Sequence, residues 1–167
     1  MTKTLECHSR GDLRFSPCGA RVAVDGVTKT IEDHYQSAKV FEGSVQAKDW
    51  RHARELKKGG ALQIGWSICG MFFHTKDVAH GQRLVLDITD IGVQFYCLLW
   101  EKYIRANPDL VEYAASFDEF RDPFAGSFPF PQSAVWETVA KHEGGLAQLK
   151  LMSAQLREII TLHKQGS

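Results

Sequence analysis

Residues 30–42 read Thr-Ile-Glu-Asp-His-Tyr-Gln-Ser-Ala-Lys-Val-Phe-Glu, and their reading decides the fold. The pattern predicts a helix. Thr30 is placed to cap it, with Asp33 three residues on in a capping-box spacing. Glu32 and Asp33 put negative charge in the first turn, where the helix dipole favours it, and Gly43 is a stop signal. Ile31, Tyr35, Ala38 and Phe41 recur at steps of three and four and form one apolar face. Glu32, Gln36 and Lys39 recur at the same steps on an adjacent face. The second face aligns a carboxylate, an amide and an amine. Spacing alone is equally satisfied by a solvated polar stripe, so the flanking sequence has to choose.

Working outward, Ala20–Val24 alternates, Asp25-Gly26 follows, and Val27–Lys29 is β-prone. Asp-Gly between two such runs signals a hairpin, which would deliver the chain into the helix at residue 30. Upstream, Pro17, Cys18 and Gly19 punctuate a loop, and residues 1–11 read as a polar lead-in. Downstream, Ala47–Lys58 is a second helix, with Trp50, Ala53 and Leu56 on one face and Gly59-Gly60 as its stop. Its Lys57-Lys58 end suits a helix C-terminus and is also a candidate phosphate contact.

Leu62–Ile68 and Met71–His74 read as short strands joined near Cys69-Gly70, and 83–88 is β-prone. Short apolar runs do not separate strand from buried helix. Thr89–Ala106 reads as a long helix with a wide apolar belt (Ile91, Phe95, Leu98, Leu99, Tyr103), fitting the centre of a core. It stops before Pro108, which opens a short helix to about Ser116. Residues 117–131 form a loop rich in Pro and Phe that carries Asp118, Glu119 and Asp122. Such a loop either binds a ligand or is pinned to the core by its rings. Gln132–Lys141 and Leu146–His163 read as the last two helices. The expected fold is one α+β domain over 1–167, predominantly helical, with a small N-terminal hairpin.

Composition narrows the function classes. With 20 basic and 20 acidic residues the formal net charge is zero, which gives no global drive toward nucleic acid or an anionic membrane. No apolar run approaches the ~20 residues of a membrane span, and the N-terminus has no apolar signal core. Cys7, Cys18, Cys69 and Cys97 are widely spaced, with no zinc-ligand pattern. They read as four reduced thiols in a cytoplasmic protein. The signatures of nucleotide-binding P-loops, dinucleotide folds, serine hydrolases, zinc proteases and kinases are absent. A lone His34 on the helix reads as structural.

The run from Phe15-Ser16-Pro17 through Asp25-Gly26 to Thr30-Ile-Glu-Asp-His-Tyr-Gln-Ser-Ala-Lys39-Val-Phe41 resembles the opening of the NADAR (YbiA-like) family. That family begins with Ser-Asn-Phe, has a strand ending in Asp-Gly, and continues with a helix reading Ser-Val-Glu-His-x-Tyr-Gln-Ala-x-Lys-Phe. His52–Gly60 is similar to its next helix end. Lys102-Tyr-Ile-Arg-Ala-Asn-Pro-Asp-Leu110 is similar to its Lys-Phe-x-x-Asn-Pro-x-Leu, and Asp122-Pro-Phe-Ala-Gly126 to its Asp-x-x-Trp-Gly turn. Order and spacing agree over roughly 12–126, while 132–164 diverges. Pro17 replaces the family's Asn, and Phe124 its Trp. Trp66 is the candidate for another family tryptophan, and the family's C-terminal Asn-x-Leu-Gly segment has no counterpart.

The resemblance implies a pocket for ADP-ribose or a related ribose phosphate, and hydrolysis of an N-glycosidic bond; no residue in the sequence calls for a metal or redox cofactor. Glu32 would stabilise positive charge at the anomeric carbon or activate water. Lys39 would act as a nucleophile after ring opening or as a charge partner. Asp122 would complete the catalytic set. Phe15, Ser16, Tyr35, Gln36, Lys57, Lys58 and Phe124 would line the ligand. The partner would be a nucleotide-derived small molecule or an ADP-ribosylated nucleic acid. A catalytically silent ADP-ribose-binding module, sensing or sequestering a ligand in phage–host conflict, is the alternative; an interaction protein docking through the last helix is a third. Oligomeric state is not read from the sequence.

Overall fold

The computed structural model describes residues 1–74, 91–123 and 131–166. It is an α+β structure in which helix predominates. In chain order the described elements are strand β1 (Thr4–Glu6), a 3-10 turn (Leu13–Phe15), β2 (Arg21–Val24), β3 (Val27–Thr30) and helix α1 (Ile31–Ser37). They continue with β4 (Lys39–Phe41), β5 (Val45–Gln46), α2 (Trp50–Lys58), β6 (Gln63–Ile68) and β7 (Met71–His74). Helices α3 (Ile91–Ala106) and α4 (Pro108–Ala115), strand β8 (Glu119–Arg121), and helices α5 (Gln132–Lys141), α6 (Gly145–Met152) and α7 (Ala154–Gln165) complete it.

The hairpin forms as the Asp-Gly signal requires. β2 and β3 pair antiparallel with Val24 opposite Val27. Asp25 and Gly26 both take positive φ, 50° and 79°, the conformation of a type I′ turn that glycine adopts without a Cβ clash. Thr30 then caps α1, its Oγ1 accepting the Asp33 amide at 3.1 Å. The reciprocal half of the capping box is not made. The Asp33 carboxylate instead accepts the Trp50 amide at 3.2 Å and stitches the start of α2 to α1.

The 30–42 helix is half as long as its periodicity suggests. It ends at Ser37, and Lys39–Phe41 is a strand. Tertiary pairing overrides local pattern here. β4 lies between β5 and β6 in the antiparallel sheet β5-β4-β6-β7, and Val40 and Phe41 are both buried in succession. A helix running on to 42 would leave β6 unpaired along the edge that faces β4, with β7 alone beside it. Gly43 therefore turns β4 into β5 and is not a helix stop. Ala38 and Phe41 leave the helix face to which their spacing assigned them. Phe41 packs instead with Ala47 and Ala53 in a small cluster under α2.

The β6–β7 hairpin turns at Cys69-Gly70 as expected. The β-prone run 83–88 lies outside the described residues. α3 is the central helix: Ile91, Cys97, Leu99 and Trp100 are fully enclosed, with Phe95, Leu98, Tyr103 and Ile104 nearly so. Trp136 of α5 meets Trp100 edge-on at 5.6 Å and Phe15 edge-on at 4.5 Å. One buried cluster runs from Leu5 to Leu156.

Two further expectations are corrected. Residues 1–11 are not merely a lead-in, because β1 pairs in parallel with β8, Leu5 opposite Phe120. Leu5 and Cys7 alternate into the core. The single C-terminal helix is two, broken at Ser153. The buried Ser153 hydroxyl donates to the Leu149 and Lys150 carbonyls, a local bond that competes with helix continuation. It also accepts Arg157 Nε at 2.9 Å. Arg157 and Arg105 both pair with Glu101, a carboxylate only 2% exposed.

Candidate active site

The short α1 still gathers the polar stripe. Glu32 and Gln36 lie one turn apart, and Gln36 Nε2 donates to Glu32 Oε1 at 2.9 Å. The Glu32 amide donates to the Pro17 carbonyl at 2.9 Å, fixing the loop before the hairpin against the helix. Lys39 arrives from β4. Its ammonium lies 5.4 Å from the centre of the Tyr35 ring and within electrostatic range of Glu32. Among the described residues no direct ion pair joins the two. The expectation that Glu32, Gln36 and Lys39 share one helix face is thus corrected: the sheet, not the helical repeat, brings the lysine to the glutamate.

All three side chains are partly buried, and burial moves the two charged ones toward neutrality. Loss of solvent raises the Glu32 carboxyl above the ordinary range; the Gln36 hydrogen bond and Lys39 oppose the rise, and Asp33 adds to it. Loss of solvent lowers the Lys39 amine, against the pull of Glu32 and with the help of Lys57. Lys57, exposed at the end of α2, is thereby in electrostatic range of the cluster. Lys58 beside it is exposed in the last turn. An acid pushed up and an amine pushed down within one cluster marks it as a candidate for acid–base chemistry.

Behind Lys39 stands an aromatic wall. Tyr35 packs at 5.2 Å on Trp66 and edge-on at 5.6 Å on Tyr96. Burial, then Glu32, holds the Tyr35 hydroxyl well above its ordinary value. Burial raises Tyr96 too, and Glu32 and Asp122 both add to that rise. Tyr96 donates to Gln132 Oε1 at 3.1 Å.

The other expected site residues fall elsewhere. Phe15 is fully buried against Trp136 and offers no ring face to a ligand; its place in the core follows from the packing of α5. Ser16 is 1% exposed, and its hydroxyl accepts the Cys18 amide at 3.2 Å. Asp122 is buried, and its Oδ2 accepts the Ser133 amide at 2.9 Å. Since Pro131 at the α5 N-cap makes no side-chain cap bond, Asp122 takes over that capping task from outside the helix. Phe124 lies outside the described residues.

Two neighbours of the cluster were not among the expected site residues. Cys18 is exposed on the loop that Glu32 anchors; partial burial raises its thiol, followed by the Glu32 charge. Trp66 sits directly across the sheet from Lys39. Only cross-strand register reveals that pairing, and no spacing in the sequence carries it.

A groove of about 240 Å³ opens on the opposite side of α1, lined by Lys29, His34, Ser37, Gln46, Ser67 and Cys69 among others. It includes none of Glu32, Gln36 and Lys39. His34 belongs to this rear side, where it is held to the Val22 carbonyl at 2.7 Å. Among the described residues no cluster of three His, Cys, Asp or Glu side chains could hold a metal ion, and no helix is long and apolar enough to cross a membrane.

Compared with protein-family models and with curated proteins, the chain matches none.

Proposed function

We propose that the protein hydrolyses an N-glycosidic bond in an ADP-ribosylated base or a ribosyl-phosphate compound, with Glu32 and Lys39 as the reacting pair. The reading joins the resemblance to the NADAR (YbiA-like) family with one observation. That observation is the partly buried Glu32–Gln36 pair with the Lys39 ammonium in range, acid raised and amine lowered.

In the proposed reaction the bond between the anomeric carbon and the base nitrogen breaks. Its electron pair leaves with the base nitrogen, which takes up a proton from the Lys39 ammonium, and positive charge develops on the ribose. Glu32 stabilises that charge and takes a proton from the water that adds to the anomeric carbon. Gln36 orients the carboxylate and holds a ribose hydroxyl. Lys39, whose ammonium burial makes a readier proton donor, gives that proton to the leaving base nitrogen, and Glu32 returns to it the proton taken from water. Lys57 attracts the substrate's phosphates. Four unpaired thiols fit a cytoplasmic setting.

A second reading has its own support. Asp122 is committed to capping α5 and Phe15 to the core, so two expected members of the site are engaged elsewhere. This favours a silent module that binds ADP-ribose without cleaving it.

The Glu32→Gln variant separates the two. For an enzyme, calorimetry finds ADP-ribose binding within about threefold of wild type, and turnover falls by about 100-fold or more. For a silent module the wild type binds ADP-ribose and yields no product by mass spectrometry. Absence of binding and of product in the wild type would contradict both.

A further inference from the structure

Resting on the hydrolase reading, we propose that Tyr35, wedged in place by Trp66 and Gly92, is a positioning residue that holds the Lys39 ammonium beside Glu32 by offering it a ring face.

Lys39 and Trp66 are opposite residues in the antiparallel pair β4–β6, so their side chains leave the sheet on one face. The Trp66 ring, 8% exposed, packs on Tyr35 at 5.2 Å. From the other direction α3 closes on both rings at Gly92. A Cβ there would stand 2.9 Å from Trp66 Cζ2 and 3.1 Å from Tyr35 Oη, so glycine is what lets the helix backbone approach. Tyr96, one turn further along α3, meets Tyr35 edge-on. Trp66, Gly92 and Tyr96 thus grip Tyr35, and Lys39 lies 5.4 Å from its ring centre.

A lysine stem has four rotatable carbons and no planar fork to orient it. On an open strand its ammonium would sweep a wide arc. A fixed ring face confines it through the attraction between a cation and the ring quadrupole. Glu32 precedes Tyr35 by three residues on α1, so it shares that side of the helix. The shelf thus directs the amine toward the carboxylate. The proposed role is the ring's, which makes phenylalanine the conservative replacement.

The test reads Lys39 directly, in the intact protein, through the NMR signals of its ε-methylene group, assigned by their loss in Lys39→Arg. A cation over a ring face shifts those signals upfield. The wild type and Tyr35→Phe are expected to show the upfield shift; Tyr35→Leu loses it. Gly92→Ala, whose added Cβ meets Trp66 and Tyr35 first, reduces it. With a ribosyl substrate, Tyr35→Leu lowers kcat by about 10–100-fold and leaves KM within about twofold, and Tyr35→Phe restores kcat. An unshifted Lys39 in the wild type overturns the proposal, whether or not Tyr35→Leu folds. So does a Tyr35→Leu protein with wild-type shift and kcat. A wild type that shows the Tyr35-dependent shift yet cleaves no ribosyl substrate upholds the shelf and overturns the hydrolase reading.

Discussion

At the scale of single residues, the charges that burial perturbs are the ones that experiments can reach. Glu32 carries a raised carboxyl in the folded chain and an ordinary one in the unfolded chain. Between those two values the folded state holds more protons, so stability falls as pH rises through the window. The favourable contribution is complete below the ordinary carboxylate range and is lost once pH passes the raised folded value. Glu32→Gln is therefore expected to raise Tm relative to wild type at pH 7.5, and to lose that advantage at pH 4, in thermal melts. Glu101 is held by ion pairs. Enclosed between Arg105 and Arg157, it depends on both for compensation. Arg157→Met should cost about 3 kcal/mol in urea denaturation, because a buried carboxylate loses a partner. Arg157→Met together with Glu101→Gln should cost less than the single change.

At the scale of elements, local signals were legible where they carried their own stop and start. The Asp-Gly turn, the Thr30 cap, the strands 63–68 and 71–74, the Pro108 start and the apolar belt of α3 all stand within a residue or two of where the sequence puts them. The helix over 30–42 failed because Lys-Val-Phe satisfies a 3.6 period and a β ladder alike, and the partner strand twenty-odd residues later decides between them. The break at Ser153 depends on a hydroxyl reaching back to carbonyls, which spacing does not show. β1 was hidden because its pairing partner is 115 residues away. The candidate site was half visible. Glu32 and Gln36 are hydrogen-bonded and Lys39 comes within electrostatic range of Glu32 from a strand instead of a helix face, whereas Trp66 enters only through register and Asp122 serves a capping task. Asp122→Ala removes that cap from α5 and should cost about 1–2 kcal/mol, measurable as a shifted urea midpoint with unchanged slope.

At the scale of the whole molecule, the early segments hold the late ones. β1 fixes β8, Phe15 fills the space under Trp136, and Lys164 near the end of α7 pairs with Asp25 at the tip of the first hairpin at 2.6 Å. α1 and the lysine strand are mounted on this body, so the geometry of the cluster depends on contacts far from it. Leu5→Ala, at a site 2% exposed, should cost about 2–4 kcal/mol while leaving the chemistry of the folded fraction intact. In hydrogen exchange, the amides of α3 should be the slowest among the described elements and those of β5, both of whose residues are exposed, among the fastest.

The claim on which the functional account depends is that Glu32 and Lys39 cleave a bond between ribose and a base. Its most direct test is incubation of the wild type, Glu32→Gln and Lys39→Met with ADP-ribosylated DNA and, separately, with ribosylated pyrimidine intermediates, read by mass spectrometry. The account predicts release of free base by the wild type from one of these substrates, with none from either variant. No release by the wild type, or equal release by the Glu32→Gln protein, would contradict it.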